Sequence, residues 1–217
     1  SEKMAYSVGM QIGQMIAVNW YESINHELFG NDSTKTINKE DMLAGFFAGV
    51  TGKGRIMDPI IATTYTDDKM KSVKEASLLE RFGENKAAGE KFLEENKAKE
   101  GVVTTESGLQ YKVITEGKGQ VPTSTDRVKV HYKGTLIDGT EFDSSYSRKD
   151  KDGNPQPSTF RANQVIKGWT EALTMMPIGS KWELYIPQEL AYGSQDKGTI
   201  PPFSTLIFEV ELLSIEK

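Results

Sequence analysis

Side chains that commonly carry catalysis are sparse in this chain. Its 217 residues include no cysteine and only two histidines, His26 and His131, so cysteine nucleophiles, disulfides and thiolate metal sites are excluded. The two imidazoles lie in different halves of the sequence, which argues against a histidine-rich metal centre; no metal and no cofactor is expected. A serine triad would have to use His131, which sits in an alternating, strand-like stretch with no acidic orienter near it. Gly117-Lys118-Gly119 lacks the rest of a phosphate loop and reads as a turn, and Asp126 and Asp138 also read as turn residues. What remains is aromatic. Tyr132, Phe142, Trp169, Tyr192 and Phe208 each fall at a strand end, a turn or a helix start. Such a set either fills a β-core or walls an apolar cleft, and spacing alone favours the core.

The elements that must position these aromatics follow from periodicity. After Gly101 the apolar residues recur every second position: Val128, Val130 and Tyr132 alternate with Arg127, Lys129, His131 and Lys133. Trp182, Leu184 and Ile186 alternate with Lys181, Glu183 and Tyr185, and Leu206, Phe208, Val210 and Leu212 form a last strand. These are half-buried antiparallel strands. Asp138-Gly139 marks a hairpin turn before Phe142, and one short helical run, about 168 to 175, interrupts the strands.

The first hundred residues show a different period. Val8, Ile12, Met15, Ile16 and Trp20 lie on one helical face. Asn38, with Asp41 three residues on, opens a second helix that carries Met42, Leu43, Phe46, Phe47 and Val50 and stops at Gly52 and Gly54. That stripe is large for a short helix with few neighbours to cover it, so burial against a partner is expected. From Asp67 to Lys99 charges of both signs are interspersed, with Asp67–Lys71 and Glu95–Lys99 spaced for i,i+4 pairing. At about 1.5 Å per residue this solvated helix would act as a spacer of roughly 50 Å. A net charge of −5 argues against nucleic acid as a partner. No apolar run reaches the roughly 18 residues of a membrane span, and the start of the chain shows no leader-like pattern, so any signal peptide is expected to have been removed or never to have existed.

Several stretches, read together in order, carry more than their periodicity. Val130-His131-Tyr132-Lys133-Gly134-Thr135-Leu136 is followed by Asp138-Gly139-Thr140-Glu141-Phe142-Asp143-Ser144-Ser145 and by Val165-Ile166-Lys167-Gly168-Trp169. Leu190-Ala191-Tyr192-Gly193, Ile200-Pro201-Pro202 and the strand from Leu206 to Leu213 complete the series. The second half thereby resembles the FKBP-type peptidyl-prolyl cis/trans isomerases. The first half resembles the N-terminal helical domain of the macrophage infectivity potentiator subgroup, through Tyr6-Ser7-Val8-Gly9, Met42-Leu43-Ala44-Gly45 and the run from Ala87 to Gly108 that leads into Leu109-Gln110-Tyr111.

The resemblance implies an α+β protein: an all-α dimerisation domain over 1–66, a long charged connecting helix over 67–100, and over 101–217 a half-open antiparallel sheet wrapped around a short helix. It implies peptidyl-prolyl isomerase activity (EC 5.2.1.8 class), with Trp169 as the floor of a proline pocket and Tyr132, Phe142, Val165, Ile166, Ile200 and Phe208 as its walls. Asp143 and Tyr192 supply the polar rim, and Arg148 partners the aspartate. Among these, Asp143, Tyr192, Phe142 and Phe208 are assigned to catalysis and the others to substrate binding. Ser158 stands where relatives often place a further pocket aromatic. The implied partners are proline-containing unfolded or partly folded polypeptides, a second copy of the chain joined through the N-terminal helices into a V-shaped dimer, and macrolide inhibitors such as tacrolimus and rapamycin. The implied location is the periplasm or cell envelope of a Gram-negative bacterium, with a removed lipobox as one route to membrane anchoring. The alternative function is a holdase chaperone or binding scaffold with little isomerase activity.

Overall fold

The computed structural model describes residues 2–216. The first helical stretch runs without interruption through α1 (Glu2–Met15), a π-helical turn (Ile16–Trp20) and α2 (Tyr21–Phe29). Asn25 is buried, and its Oδ1 accepts from the Ile37 amide at 2.8 Å. The Tyr21 hydroxyl donates to the Ile37 carbonyl at 3.2 Å. These two bonds tie the following loop back onto α2. Helix α3 (Lys39–Thr51) begins as its sequence predicts, with Asn38 Oδ1 accepting from the Asp41 amide at 3.0 Å, and ends at Gly52 in the left-handed region.

Helix α4 (Pro59–Asn96) starts earlier than the change in composition at Asp67 suggests. Asp58 Oδ1 accepts from the Ile60 amide at 2.8 Å, and Pro59 occupies the first helical position, where a missing N–H costs nothing. Its i,i+4 ion pairs include Lys86–Glu90 at 3.3 Å and Lys91–Glu95 at 3.9 Å. Lys99, expected to reach Glu95, instead places Nζ 5.5 Å from the centre of the Phe92 ring.

By their contacts the residues form two units, one ending at Arg81 and one beginning at Phe82. In the first, among the described residues, few side chains are buried: Ile16, Leu28, Asn25 and Ser77. The second holds the main core. Strands β1 (Val102–Thr104), β2 (Gln110–Thr115), β3 (Arg127–Leu136), β4 (Glu141–Ser144), β5 (Ser158–Arg161), β6 (Lys181–Ile186) and β7 (Leu206–Glu216) form an antiparallel sheet in the order β1-β2-β6-β7-β3-β4, with β5 also paired to β3. Helix α5 (Lys167–Leu173) covers the inner face, burying Trp169, Ala172 and Leu173 against Val128, Val130, Leu184, Ile186 and Val210.

The last turns of α4 do not behave as a solvated spacer. From Phe82 onward they pack on the sheet's own unit: Asn85 Nδ2 donates to the Pro202 carbonyl at 2.7 Å and to Ser204 Oγ at 3.1 Å. Gly89 lies so close to Thr205 that an added Cβ would sit 2.4 Å from its Oγ1. Phe92 lies 6.1 Å from the Tyr185 ring, ring centre to ring centre. Tyr185 alternates outward along β6, yet this cover leaves it only 6% exposed. At the C-terminus of α4 Gln110 closes the helix, donating from Nε2 to the Leu93 carbonyl at 2.8 Å while its Oε1 accepts from the buried Asn96 at 3.0 Å.

Candidate functional site

A cleft of about 230 Å³ opens over Trp169 and is lined by Tyr132, Asp143, Phe160, Gln164, Val165, Ile166, Trp169, Tyr192 and Phe208. Its floor is set by α5. The Ile166 carbonyl accepts from the Trp169 amide at 2.9 Å and the Thr170 amide at 3.1 Å, so the helix starts at that point and Trp169 faces the sheet from its first turn. Tyr132, Phe160 and Phe208 meet the indole edge-on, at centroid distances of 5.2, 5.7 and 5.2 Å and interplanar angles of 87°, 85° and 83°. Perpendicular packing of this kind suits the ring quadrupoles and fixes each ring against its neighbours. Phe208 can approach because Gly134 lies opposite it across β3 and β7; a Cβ on Gly134 would fall 2.6 Å from both Phe208 and Phe142.

The rim carries the polar groups. The Tyr132 hydroxyl donates to Asp143 Oδ2 at 2.5 Å, and Arg148 Nη2 donates to the same hydroxyl oxygen at 2.8 Å. Arg148 Nη1 stands 3.5 Å from Asp143 Oδ1, and its Nη2 also reaches Ser158 Oγ at 2.9 Å. Burial raises the Tyr132 hydroxyl above its ordinary pKa, and the bond to Asp143 adds to the effect. Tyr192 is raised too, by burial and by the charge on Asp143. Both phenols therefore stay protonated as donors at neutral pH. Among the described residues nothing accepts from the Ile166 N–H or from the Tyr192 hydroxyl. Two donors thus border an apolar cleft unused by the fold.

Of the residues singled out in the sequence, Tyr132, Asp143, Val165, Ile166, Trp169, Tyr192 and Phe208 line this one cleft. Phe142, Ile200 and Arg148 do not line it. Phe142 packs edge-on behind Phe208 at 5.4 Å, Ile200 is buried in the core, and Arg148 braces the Tyr132–Asp143 pair from outside. Two lining residues, Phe160 and Gln164, escape sequence reasoning. Ser158 and Phe160 are two apart on β5 and share its inner face, opposite Val130 and Val128, and it is Phe160 that reaches Trp169. The signal lay in the alternation of Ser158-Thr159-Phe160-Arg161, obscured by the polar loop 149–157 before it. That loop closes on itself, with Asp150 Oδ1 accepting from the amides of Asp152 and Asn154, both at 2.9 Å, while Arg148 turns towards the rim.

Among the described residues no group of three or more His, Asp or Glu side chains is placed to hold a metal ion, and no helix is long and apolar enough to cross a membrane.

Residues 118–213 match the family described as FKBP-type peptidyl-prolyl cis-trans isomerase, and residues 1–113 match the domain described as amino terminal to it. Over 215 residues the chain is 46% identical to the FKBP-type 22 kDa peptidyl-prolyl cis-trans isomerase of Escherichia coli (strain K12), covering 97% of this chain and 93% of that protein. The outer membrane protein MIP of Legionella longbeachae is 40% identical over 228 residues, with 100% of this chain and 86% of that one covered. The crystal structure of FkpA from Escherichia coli superposes with a TM-score of 0.61 at 37% identity, across 99% of this chain and 95% of that one.

Proposed function

Because the chain belongs to the FKBP-type peptidyl-prolyl cis-trans isomerases, we propose that the cleft over Trp169 receives the proline ring of a polypeptide and that its rim holds the neighbouring carbonyls while the Xaa-Pro bond turns. The observation that carries this reading is the pairing of an aromatic box with two free donors, the Ile166 amide and the Tyr192 hydroxyl, on its border. Rotation of a peptide bond crosses a barrier of about 18–20 kcal/mol because resonance must be broken. The planar amide is more polar than the twisted one. An apolar cleft therefore disfavours the ground state more than the transition state, and this difference appears directly in the rate. No covalent intermediate is required. Asp143, fixed by Tyr132 and Arg148, presents a carboxylate where the carbonyl preceding proline swings.

The test is exchange of a short Xaa-Pro peptide between cis and trans, followed by NMR. The wild-type protein accelerates exchange, and Tyr192→Phe and Asp143→Ala each lower kcat/KM by roughly tenfold, about 1.4 kcal/mol of transition-state binding. Wild-type exchange rates in both variants would remove the roles assigned here.

The exposed apolar residues of the first unit favour a second role. Met4, Tyr6, Met10 and Trp20 are between 58% and 72% exposed, and Phe47 and Val50 are 60% and 69% exposed. Apolar surface on this scale calls for a partner. A second copy of the chain is that partner, and the dimer holds unfolded clients as a chaperone beside its isomerase action. Suppression of client aggregation that survives Asp143→Ala would place holding in the helical half. The envelope is the proposed location, supported by the likeness to an outer membrane protein. Macrolides such as tacrolimus and rapamycin are proposed ligands of the same aromatic cleft.

A further inference from the structure

Beside the cleft over Trp169 lies a second, polar one of about 390 Å³, lined by Arg127, Thr159, Phe160, Arg161 and Gln164. Phe160 and Gln164 border both. Arg127 and Arg161 are direct cross-strand partners on β3 and β5. Opposed residues in such a pair hold their Cβ atoms about 4.5–5.5 Å apart, and like charges there repel. Both arginines are exposed. On its other side Arg127 faces Glu216 on β7, a carboxylate it shares with Ser214 Oγ at 2.5 Å and Lys129 Nζ at 3.6 Å, all three helping to hold that carboxyl below its ordinary range. Asp126 turns its carboxylate to the Thr123 amide at 2.7 Å. Arg161 stands at the end of the row with no ion pair among the described residues. A chain of net charge −5 thus keeps two facing guanidinium groups beside its aromatic cleft.

We propose that this second cleft is a subsite for the polypeptide substrate, in which Arg127 and Arg161 take an acidic side chain flanking the Xaa-Pro bond. The proposal rests on the reading that the proline ring sits over Trp169. The alternation along β5 turns Phe160 inward and Arg161 outward, so an extended peptide, advancing about 3.3 Å per residue, reaches the arginines over the border that Phe160 and Gln164 share. A carboxylate bound there relieves the repulsion between the two arginines, whereas a lysine adds to it. The subsite is remote from the turning bond and acts equally on ground and transition states, so its effect falls on KM and leaves kcat alone.

The experiment compares short peptides that carry Glu, Gln or Lys two or three residues to either side of Xaa-Pro, with the full chain as wild type, Arg127→Gln/Arg161→Gln and Arg161→Glu. The readout is the ratio of KM for the Lys peptide to KM for the Glu peptide within each protein, so a general loss of activity cancels. In wild type the ratio is about three to ten at low ionic strength, the scale expected for one or two exposed ion pairs, and it falls with added salt. It collapses towards one in the double variant and inverts in Arg161→Glu. Equal KM values for all wild-type peptides, or a preference that survives in the double variant, would overturn the subsite while leaving the proline cleft intact. If wild type turns over not even the Gln peptides, the proline reading fails and the subsite falls with it.

Discussion

The Tyr132 hydroxyl and the Asp143 carboxylate meet at 2.5 Å, and Arg148 approaches the same hydroxyl oxygen at 2.8 Å. A neutral phenol thereby bridges a guanidinium and a carboxylate that also pair directly at 3.5 Å, and the trio holds the carboxylate at the lip of an apolar cleft. Tyr132→Phe removes both bonds and keeps the ring packing. It should destabilise the protein by about 1.5–3 kcal/mol, as for hydrogen bonds to charged groups, with a parallel fall in kcat/KM. Urea unfolding monitored by tryptophan fluorescence measures the first effect; stability within about 0.5 kcal/mol of wild type would show that the trio does not hold the rim.

Alkaline titration tests the cover that α4 gives the sheet. Burial pushes the Tyr185 hydroxyl up to about 12, with the nearby Glu183 adding to the shift. In the unfolded chain a tyrosine ionises near 10. Below pH 10 both states are protonated and the contribution to stability is complete. As pH rises towards 12 the unfolded state loses its proton first, so stability declines across that window. Tyr185→Phe should flatten the decline, read as the change in midpoint denaturant concentration between pH 9 and pH 11. An unchanged slope would place Tyr185 in contact with solvent.

Asn85 supplies the polar half of the same contact through the Pro202 carbonyl and Ser204 Oγ. Asn85→Ala should cost about 1–2 kcal/mol and reduce amide hydrogen-exchange protection over residues 86–96, with little change in β3 or β7. Protection equal to wild type over those residues would mean that the docking is carried by Gly89 and Phe92 alone.

Gly134→Ala places a methyl 2.6 Å from the Phe142 and Phe208 rings. Overpacking of this kind costs about 1–3 kcal/mol, and because Phe208 is a cleft wall the strain should also raise KM for proline peptides. An unaltered KM together with lost stability would show that Phe142 yields in place of Phe208.

Sedimentation velocity tests the apolar faces of the helical half. The wild-type chain is expected to sediment as a dimer, and Met10→Asp/Phe47→Asp as a monomer with short-peptide turnover retained. A wild-type monomer at micromolar concentration would leave those faces for clients alone.

Strands β3, β6 and β7 were legible because each alternates, and the β3–β4 hairpin because Asp138-Gly139 marks its turn: the Leu136 amide donates to the Thr140 carbonyl at 2.9 Å and Gly139 takes a positive φ. The start of α3 was legible from Asn38 and Asp41; the start of α4 was missed, because the Asp58-Pro59 signal is outweighed by the charge pattern that begins at Asp67. The docking of α4 was not legible. Asn85 and Gly89 look like solvated helix positions until Pro202 and Thr205, more than a hundred residues on, are folded against them. Phe160 was hidden for a similar reason: its partners Tyr132 and Trp169 come from β3 and α5, and only pairing of β5 with β3 fixes which of its residues point inward.

The position of β7 bears on how the molecule is made. It lies between β6 and β3 at the middle of the sheet, yet it follows every one of its neighbours in the chain. While the ribosome is still adding residues after Leu206, β3 has no partner on that side, and Tyr132, Trp169 and Leu184 have no wall to close on. The sheet is then assembled late, from distant segments, a topology that folds slowly and exposes strand edges until it is done. Until β7 has emerged, a nascent chain of this protein therefore exposes the facing edges of β3 and β6 and the apolar residues they are to enclose.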